Sequence, residues 1–360
     1  MIRWALCALL ICSFPAAARP PDRQVALLQR GVNITGWFRF PASLAPDALA
    51  RWMADEAMAD LRRTGFTFVR LAVDPTLLDA PRVRDAAVNA ICRLQKQGLA
   101  VIVSPHPNGW HLETEAADRA RLKAFWRAMG LALRRCDPVL TMPEILNEPV
   151  FPGDPSGWAG LQHAILSNIR AILPASTVVL TGQDWGSIGG LMALQPEADQ
   201  NVVYSFHFYD PAELTALAAY KPDLDRAALA RLPFPVDNPS DCMSAARWTS
   251  HAATTDMIRY YCASKWDRDA IDRRVNAARS WAHGHGAALI AGEFGATTEL
   301  NDAARLAWLS TARHAFETAD IGWALWGYDD IMGFALQRPP QGRPLLNKDV
   351  LGSLGLRAPP

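Results

Sequence analysis

Two glutamates 145 positions apart (293 − 148) stand out as a pair that could do chemistry. Glu148 closes the segment Glu-Ile-Leu-Asn-Glu ahead of Pro149, and Glu293 lies in Ala-Gly-Glu-Phe-Gly. Two carboxyl groups flanking a sugar ring are what cleavage of a glycosidic bond requires. One protonates the leaving oxygen, and the other attacks the anomeric carbon or activates a water. An attacking carboxylate must stay ionised, which a nearby guanidinium and phenol hydroxyl favour. The acid must hold its proton near neutrality, so its surroundings should be less polar or more anionic.

Further polar and aromatic groups end short apolar runs in the same way: Arg70, His106, Asn147 beside Glu148, His207 with Tyr209, and Trp326. Each has a plain structural reading when taken singly. Arg70 could neutralise a buried acid, the histidines could be satisfied core residues, and Asn147 could cap a turn before Pro149. Trp326 could be packing, and either glutamate a salt-bridged rim residue. The set as a whole, one member per run, favours a site. His283-Gly284-His285 has the look of a metal pair, but it falls at a helix end with no third ligand near it in sequence, so no metal and no organic cofactor is expected. No lysine ends a strand, which argues against Schiff-base chemistry. A carbohydrate-binding barrel without activity would be favoured by loss of either glutamate, and both are present.

These positions need elements to hold them. Runs rich in β-branched residues fall at 30–34, 67–73, 99–104, 140–146, 177–181, 201–206, 287–292 and 321–326. Amphipathic stretches at 47–64, 82–97, 115–135, 157–172, 186–194, 267–283, 302–318 and 349–354 follow them. Strands separated by helices imply parallel pairing with right-handed crossovers. Eight such units predict a (β/α)8 TIM barrel, with reacting groups just past the C-terminal strand ends. A doubly wound open sheet would normally carry a glycine-rich phosphate turn after an early strand, and there is none. One stretch breaks the rhythm: the 57 residues 210–266 after the sixth strand read as a long irregular insertion at the catalytic face, with five prolines, several aromatics and two cysteines.

Composition sets the remaining bounds. The 360 residues carry 36 basic and 36 acidic side chains, which gives no reason to expect a nucleic-acid partner. Residues 1–18 read as a signal peptide: Arg3, an apolar stretch to Phe14, Pro15, then Ala16-Ala17-Ala18 for cleavage. The expected location is secreted or periplasmic, with no membrane partner after cleavage and a single catalytic domain over 19–360. Of six cysteines, Cys92, Cys136, Cys242 and Cys262 remain in the mature chain. Four cysteines allow three pairings. Cys92–Cys136 and Cys242–Cys262 are favoured as local bridges in an oxidising compartment.

The ordered motifs resemble glycoside hydrolase family 5, the cellulase-like retaining barrels. The matching pieces are Gly31-Val32-Asn33-Ile34 leading to Trp37-Phe38, Phe68-Val69-Arg70, His106, Leu146-Asn147-Glu148-Pro149, His207-Phe208-Tyr209, Gly292-Glu293-Phe294-Gly295, and 323–326. The resemblance implies Glu148 as general acid/base and Glu293 as nucleophile. It implies Asn147 on the sugar 2-hydroxyl, and Arg70 and Tyr209 on Glu293. His106 and His207 would line the −1 subsite or orient the carboxylates, and Trp326 would floor it. The expected activity is an exported endo-β-1,4-glucanase acting as a monomer on polysaccharide or oligosaccharide. Mannan, β-1,3-glucan, a bacterial exopolysaccharide or exo-acting β-glucosidase action remain alternatives within the same chemistry. Trp37, Trp110, Trp185 and Trp248 are candidate stacking residues along a cleft, since apolar sugar faces pack on aromatic rings.

Overall fold

The computed structural model describes residues 22–329 and 347–358; the expected signal peptide lies outside them. Eight strands are observed: β1 Arg30–Phe38, β2 Phe68–Val73, β3 Ala100–Pro105, β4 Thr141–Pro143, β5 Val178–Thr181, β6 Val202–Phe208, β7 Ala288–Phe294 and β8 Gly322–Leu325. They pair in parallel in the order β4-β3-β2-β1-β8-β7-β6-β5. A single parallel bridge from Glu144 to Val179, with Ile145 N donating to Val179 O at 3.2 Å, joins the two ends. The fold is a (β/α)8 barrel.

The helices follow from local sequence. Residues Pro81–Lys96 start on a proline and place Val83, Ala87, Val88, Ile91 and Leu94 on one buried face. The Asp267 carboxylate caps the helix Arg268–His285, and Gly286 ends it at φ 63°. Asn301 caps Asp302–Thr318 in the same manner. Inside the barrel the strands change character with height. Phe68, Ile102, Met142, Val179, Val203, Ile290 and Ala324 form an apolar plug. Above it stand the buried polar groups Asn33, Arg70, Ser104, Glu144, Ser205 and Glu293. The lower layer supplies hydrophobic burial and the upper layer carries the polar groups of the mouth.

One irregularity decides where Glu293 points. Along β7, Ile290 faces the interior and Ala291 the helix layer, so simple alternation would turn Glu293 outward. The register slips here against both neighbours: Phe206 and His207 of β6 face Ala291 and Glu293, skipping Gly292, and β8 skips likewise. This bulge brings both Gly292 and Glu293 to the interior and returns Phe294 to the outer core.

Three expectations need correction. The helix expected over 47–64 is two helices, Pro46–Arg51 and Asp55–Thr64. The Arg93 guanidinium accounts for the break, donating to Ala50 O and Met53 O at 2.8 Å each and so capturing carbonyls that a continuous helix would use. The fourth strand is short, Thr141–Pro143; Glu144 N still donates to Val103 O of β3 at 3.0 Å, but Pro143 has no N–H to offer towards β5, where a single bridge remains. The stretch 210–266 is not an irregular loop. It contains Ala212–Thr215, Arg226–Leu229, Pro239–Cys242, a 3-10 turn Met243–Trp248, and Ala252–Ser264. Asp225 and Asn238 cap two of these helices, and Leu214, Leu229, Leu232, Ile258 and Tyr261 form a buried centre.

Both disulfides form as expected. Cys92–Cys136 links positions 44 apart and Cys242–Cys262 positions 20 apart. In the chain-entropy model each removes about 3–4 kcal/mol of unfolded-state freedom. Cys92→Ser with Cys136→Ser should therefore lower the thermal midpoint by several degrees and leave substrate specificity alone. Cys242→Ser with Cys262→Ser should change KM or product length while the barrel stays folded. Calorimetry together with product analysis checks both outcomes, and denatured, unreduced mature protein should show no reactive thiol.

Candidate active site

Arg70 organises the barrel mouth. Its side chain is wholly buried, and its Nε and Nη2 grip both oxygens of Glu144 at 2.6 and 2.8 Å. Nη1 donates to Asn33 Oδ1 at 2.9 Å and to Glu293 Oε1; Nη2 also donates to Asn147 Oδ1 at 2.9 Å. A flat, five-donor cation suits this convergence of acceptors from three strands.

Glu293 is 4% exposed. Besides Arg70 it accepts from the Tyr209 hydroxyl at 3.0 Å. Glu148 stands higher, its side chain about a third exposed, with Oε1 at 2.9 Å from His207 Nδ1. Asn147 Nδ2 approaches Glu148 Oε2 at 3.4 Å. The backbone of Glu148 is left-handed, φ 43°, a conformation that costs a non-glycine residue about 1 kcal/mol or more and clusters at functional sites. His207 Nδ1 is 3.5 Å from Glu293 Oε2. One oxygen of Glu148, one of Glu293 and a ring nitrogen of His207 all lie within 4.8 Å of one another. That spacing suits a cation, but the charge of Glu293 is already met by Arg70, and no metal ligand is assigned.

His106 Nε2 lies 3.1 Å from Ser104 Oγ, and its ring stacks beside Trp326 with centroids 6.0 Å apart. Trp326 N donates to Phe294 O at 2.8 Å, and Tyr328 N to Asn33 O at 2.7 Å. Asp329 accepts from the backbone of Thr35 and Gly36, which fastens this segment across β1.

The electrostatics depart from the simple division expected. Burial, then Arg70, holds His106 well below its ordinary pKa, so it is neutral. Burial and the Glu293 charge push the Tyr209 phenol well up, so it remains a donor. Burial raises Glu293 above the ordinary carboxylate value in spite of His207 and Arg70. Burial also works against the charge of Glu148, but the His207 hydrogen bond and charge outweigh it and hold this carboxyl below its ordinary value. His207 itself is raised, because Glu293 and Glu148 outweigh its burial. His207 and the two acids thus titrate as one coupled unit, with the imidazole between the carboxylates.

The structure brings Arg70, His106, Asn147, Glu148, His207, Tyr209, Glu293 and Trp326 into one cluster. It does not bring Trp37 there. That ring is fully buried in the helix layer, stacked on Trp52 at 5.0 Å, with Nε1 donating to Leu49 O, so it cannot meet a sugar. Trp110 is half-buried, with the Arg121 guanidinium 4.3 Å from its ring centroid. Trp185 is 59% exposed at the rim, and Trp248 is exposed with Arg231 against one face. Sequence reading missed Glu144 and Asn33. The signal for Glu144 was available: a carboxylate in a buried parallel strand needs a cationic partner.

A parallel barrel whose mouth holds two facing carboxylates, a guanidinium and a tryptophan ring has the make-up of an O-glycosyl hydrolase. The chain matches the Cellulase family model, glycosyl hydrolase family 5, over residues 28–329, and it belongs to that family. Endoglucanase C of Acetivibrio thermocellus is 21% identical over 337 residues, covering 88% of this chain and 96% of the relative. Endoglucanase 3 of Fibrobacter succinogenes is 28% identical over 194 residues, 51% of this chain and only 29% of the length of that protein. Among solved structures, Thermotoga maritima Cel5A in complex with cellobiose superposes with a TM-score of 0.72 at 22% identity, over 94% of this chain and 99% of that one. The cellulose synthase subunit Z of Clostridioides difficile gives 0.70 at 20%, over 91% and 99%.

Arg70→Met should cost about 3–5 kcal/mol in urea unfolding, because it strands Glu144 as an uncompensated buried charge. Adding Glu144→Met should recover much of that loss while activity stays absent. Equal instability of the single and double variants would show that the pair is not the unit we describe.

Proposed function

We propose that this protein is an exported, retaining endo-β-1,4-glucanase in which Glu148 is the acid/base and Glu293 the nucleophile. The approach of the two carboxylates within 4.8 Å carries this reading. Retaining enzymes hold their carboxyl groups about 5–5.5 Å apart, whereas inversion needs about 6.5–9.5 Å to admit a water. The depths of the two groups support the division of roles. Glu293 is fixed from below by Arg70 and Tyr209, as an in-line nucleophile must be. Glu148, at the rim, is placed to reach a leaving oxygen.

A sugar seated over Trp326 removes the remaining water from Glu148, which raises its affinity for a proton. His207 Nδ1, 2.9 Å away, holds that proton. Its transfer leaves Glu148 neutral and Glu293 charged beside Arg70. Glu293 attacks the anomeric carbon as Glu148 protonates the departing oxygen. Protonating that oxygen leaves Glu148 a carboxylate; the glycosyl ester removes the charge from Glu293, so Glu148 stays ionised and takes the proton of the attacking water as base.

Export is supported by the apolar 4–14 segment ahead of Ala16-Ala17-Ala18 and by two disulfides. The glucan assignment is supported by the endoglucanase relatives and the cellobiose complex. A mannotriose complex of the same Thermotoga enzyme makes mannan the second substrate to test.

Trp185 supports endo action. Asp184, Trp185 and Gly186 are successive left-handed residues, φ 63°, 54° and 67°. Trp185 N donates to Pro149 O at 3.3 Å, and Gly186 O accepts from His207 N at 2.8 Å. This turn ties the backbone that carries an exposed indole to the segments of the acid and its histidine, and we read that indole as a stacking platform for a leaving-group sugar.

Glu293→Ala should lose about four orders of magnitude or more in kcat, and azide should restore turnover with an inverted product. Glu148→Ala should spare aryl glycosides with activated leaving groups, and azide should yield a retained glycosyl azide. The opposite pattern would exchange the roles. Trp185→Ala should raise KM for carboxymethylcellulose about tenfold, the loss of one stacking contact of roughly 1.5 kcal/mol. The KM of an aryl glycoside lacking a leaving-group sugar should not move.

A further inference from the structure

We propose that Ser205 is a positioning residue for His207. Its hydroxyl, through one buried water seated against Gly292, hydrogen-bonds His207 Nε2 and so sets the protonation state that Glu148 and His207 share. This rests on the reading of Glu148 as the acid.

Ser205 and His207 lie two apart on β6, facing the barrel interior above Val203. Ser205 is 0% and His207 7% exposed. His207 uses Nδ1 on Glu148, whereas Nε2 and the Ser205 Oγ are both buried without a protein partner. Buried polar atoms are rarely left so, since an unpaired group has given up its water and gained no partner in return. The two atoms converge on one place. A β-carbon built on Gly292 would lie 2.3 Å from Ser205 Oγ and 3.7 Å from His207 Nε2. The β7 bulge puts a residue without a side chain there, and its carbonyl is already taken by Asn33 Nδ2 at 3.1 Å. A water between a hydroxyl and an imidazole nitrogen has the two partners it needs. Both it and the hydroxyl can accept or donate, so Nε2 is satisfied with or without its proton.

That matters because His207 must change state during turnover. The groups facing it are Glu148 beyond β4, Glu293 on β7, Arg70 on β2, His106 just beyond β3 and Tyr209 beyond β6; Arg39 acts on Glu148 as well. While the pair holds its proton, Nε2 carries hydrogen, whether Nδ1 is protonated or accepts from Glu148. When the proton leaves, Nδ1–H donates to Glu148 and Nε2 is bare. A buried N–H without an acceptor is worse than a bare nitrogen. Removing the hydroxyl therefore favours the deprotonated pair, and the basic limb of the pH profile moves to lower pH.

The test is kcat/KM against pH on a cellobioside with a poor leaving group and on its dinitrophenyl counterpart. Ser205→Ala should move the basic limb down by about one pH unit, with the effect on kcat rather than KM. Ser205→Thr should keep the wild-type limb. Gly292→Ala, whose β-carbon would lie 2.3 Å from Ser205 Oγ and so force the hydroxyl away from this place, should reproduce the Ser205→Ala shift. The double variant should add nothing further. Should Ser205→Ala fail to fold, Gly292→Ala carries the test. The dinitrophenyl substrate needs no proton, so the shift should vanish there. A Ser205→Ala profile superimposed on wild type, or a Ser205→Thr profile shifted as far as that of Ser205→Ala, overturns the proposal. A wild-type basic limb that persists unchanged on the dinitrophenyl substrate overturns the assignment of Glu148 itself.

Discussion

The mouth of this barrel depends on one guanidinium kept wholly out of water. Burying an unpaired cation costs several kcal/mol, so Arg70 is tolerable only because its donors are taken by Glu144, Asn33, Asn147 and Glu293. Those acceptors come from β1, the β4 region and β7, and Arg70 itself from β2. The demand to satisfy one side chain therefore fixes four strand ends at once. Glu144 neutralises the guanidinium and sets its plane. Glu293 and Asn147 then inherit positions they could not hold alone.

The second constraint is backbone geometry. A parallel strand alternates its side chains, and β7 would send Glu293 into the helix layer and Phe294 into the barrel. The bulge at Gly292 breaks that alternation for one residue and returns the strand to its register with the outer core. Asn33 holds the bulge by donating to Gly292 O while accepting from Arg70. Charge pairing and strand geometry thus meet in one amide, a role for Asn33 that lies outside direct contact with substrate.

The barrel was legible in the sequence because β-branched runs and amphipathic runs alternate, and that pattern is local. The convergence of Arg70, Glu148, His207 and Glu293 followed from placing them at strand ends. Glu144 escaped notice because it sits within its run, where strand-end reasoning does not look. The bulge escaped because register belongs to pairs of strands, not to one. Trp37 was misjudged because an indole wedged in a helix layer and one offered to a sugar have the same sequence signature; only its neighbours Trp52 and Leu49 decide. The segment 210–266 looked irregular because its helices are short and proline-rich, below the length at which periodicity speaks.

The distribution of protons is the least legible property, and the structure shows why. Composition suggests that an arginine-paired glutamate is the stronger acid of the two. Here Glu293 is buried more deeply than Glu148, and His207 leans on Glu148 at 2.9 Å. Desolvation lifts the first and the His207 hydrogen bond lowers the second, so before substrate binds Glu148 is the weaker holder of a proton. Exposure resolves this. Glu293, at 5% side-chain exposure, has almost no water left to lose, while Glu148, at 32%, has much. A bound sugar therefore changes the environment of Glu148 far more than that of Glu293. In the mechanism proposed above, the same covering that positions the glycosidic oxygen would drive the proton from His207 to Glu148, which would tie the arming of the acid to the presence of substrate.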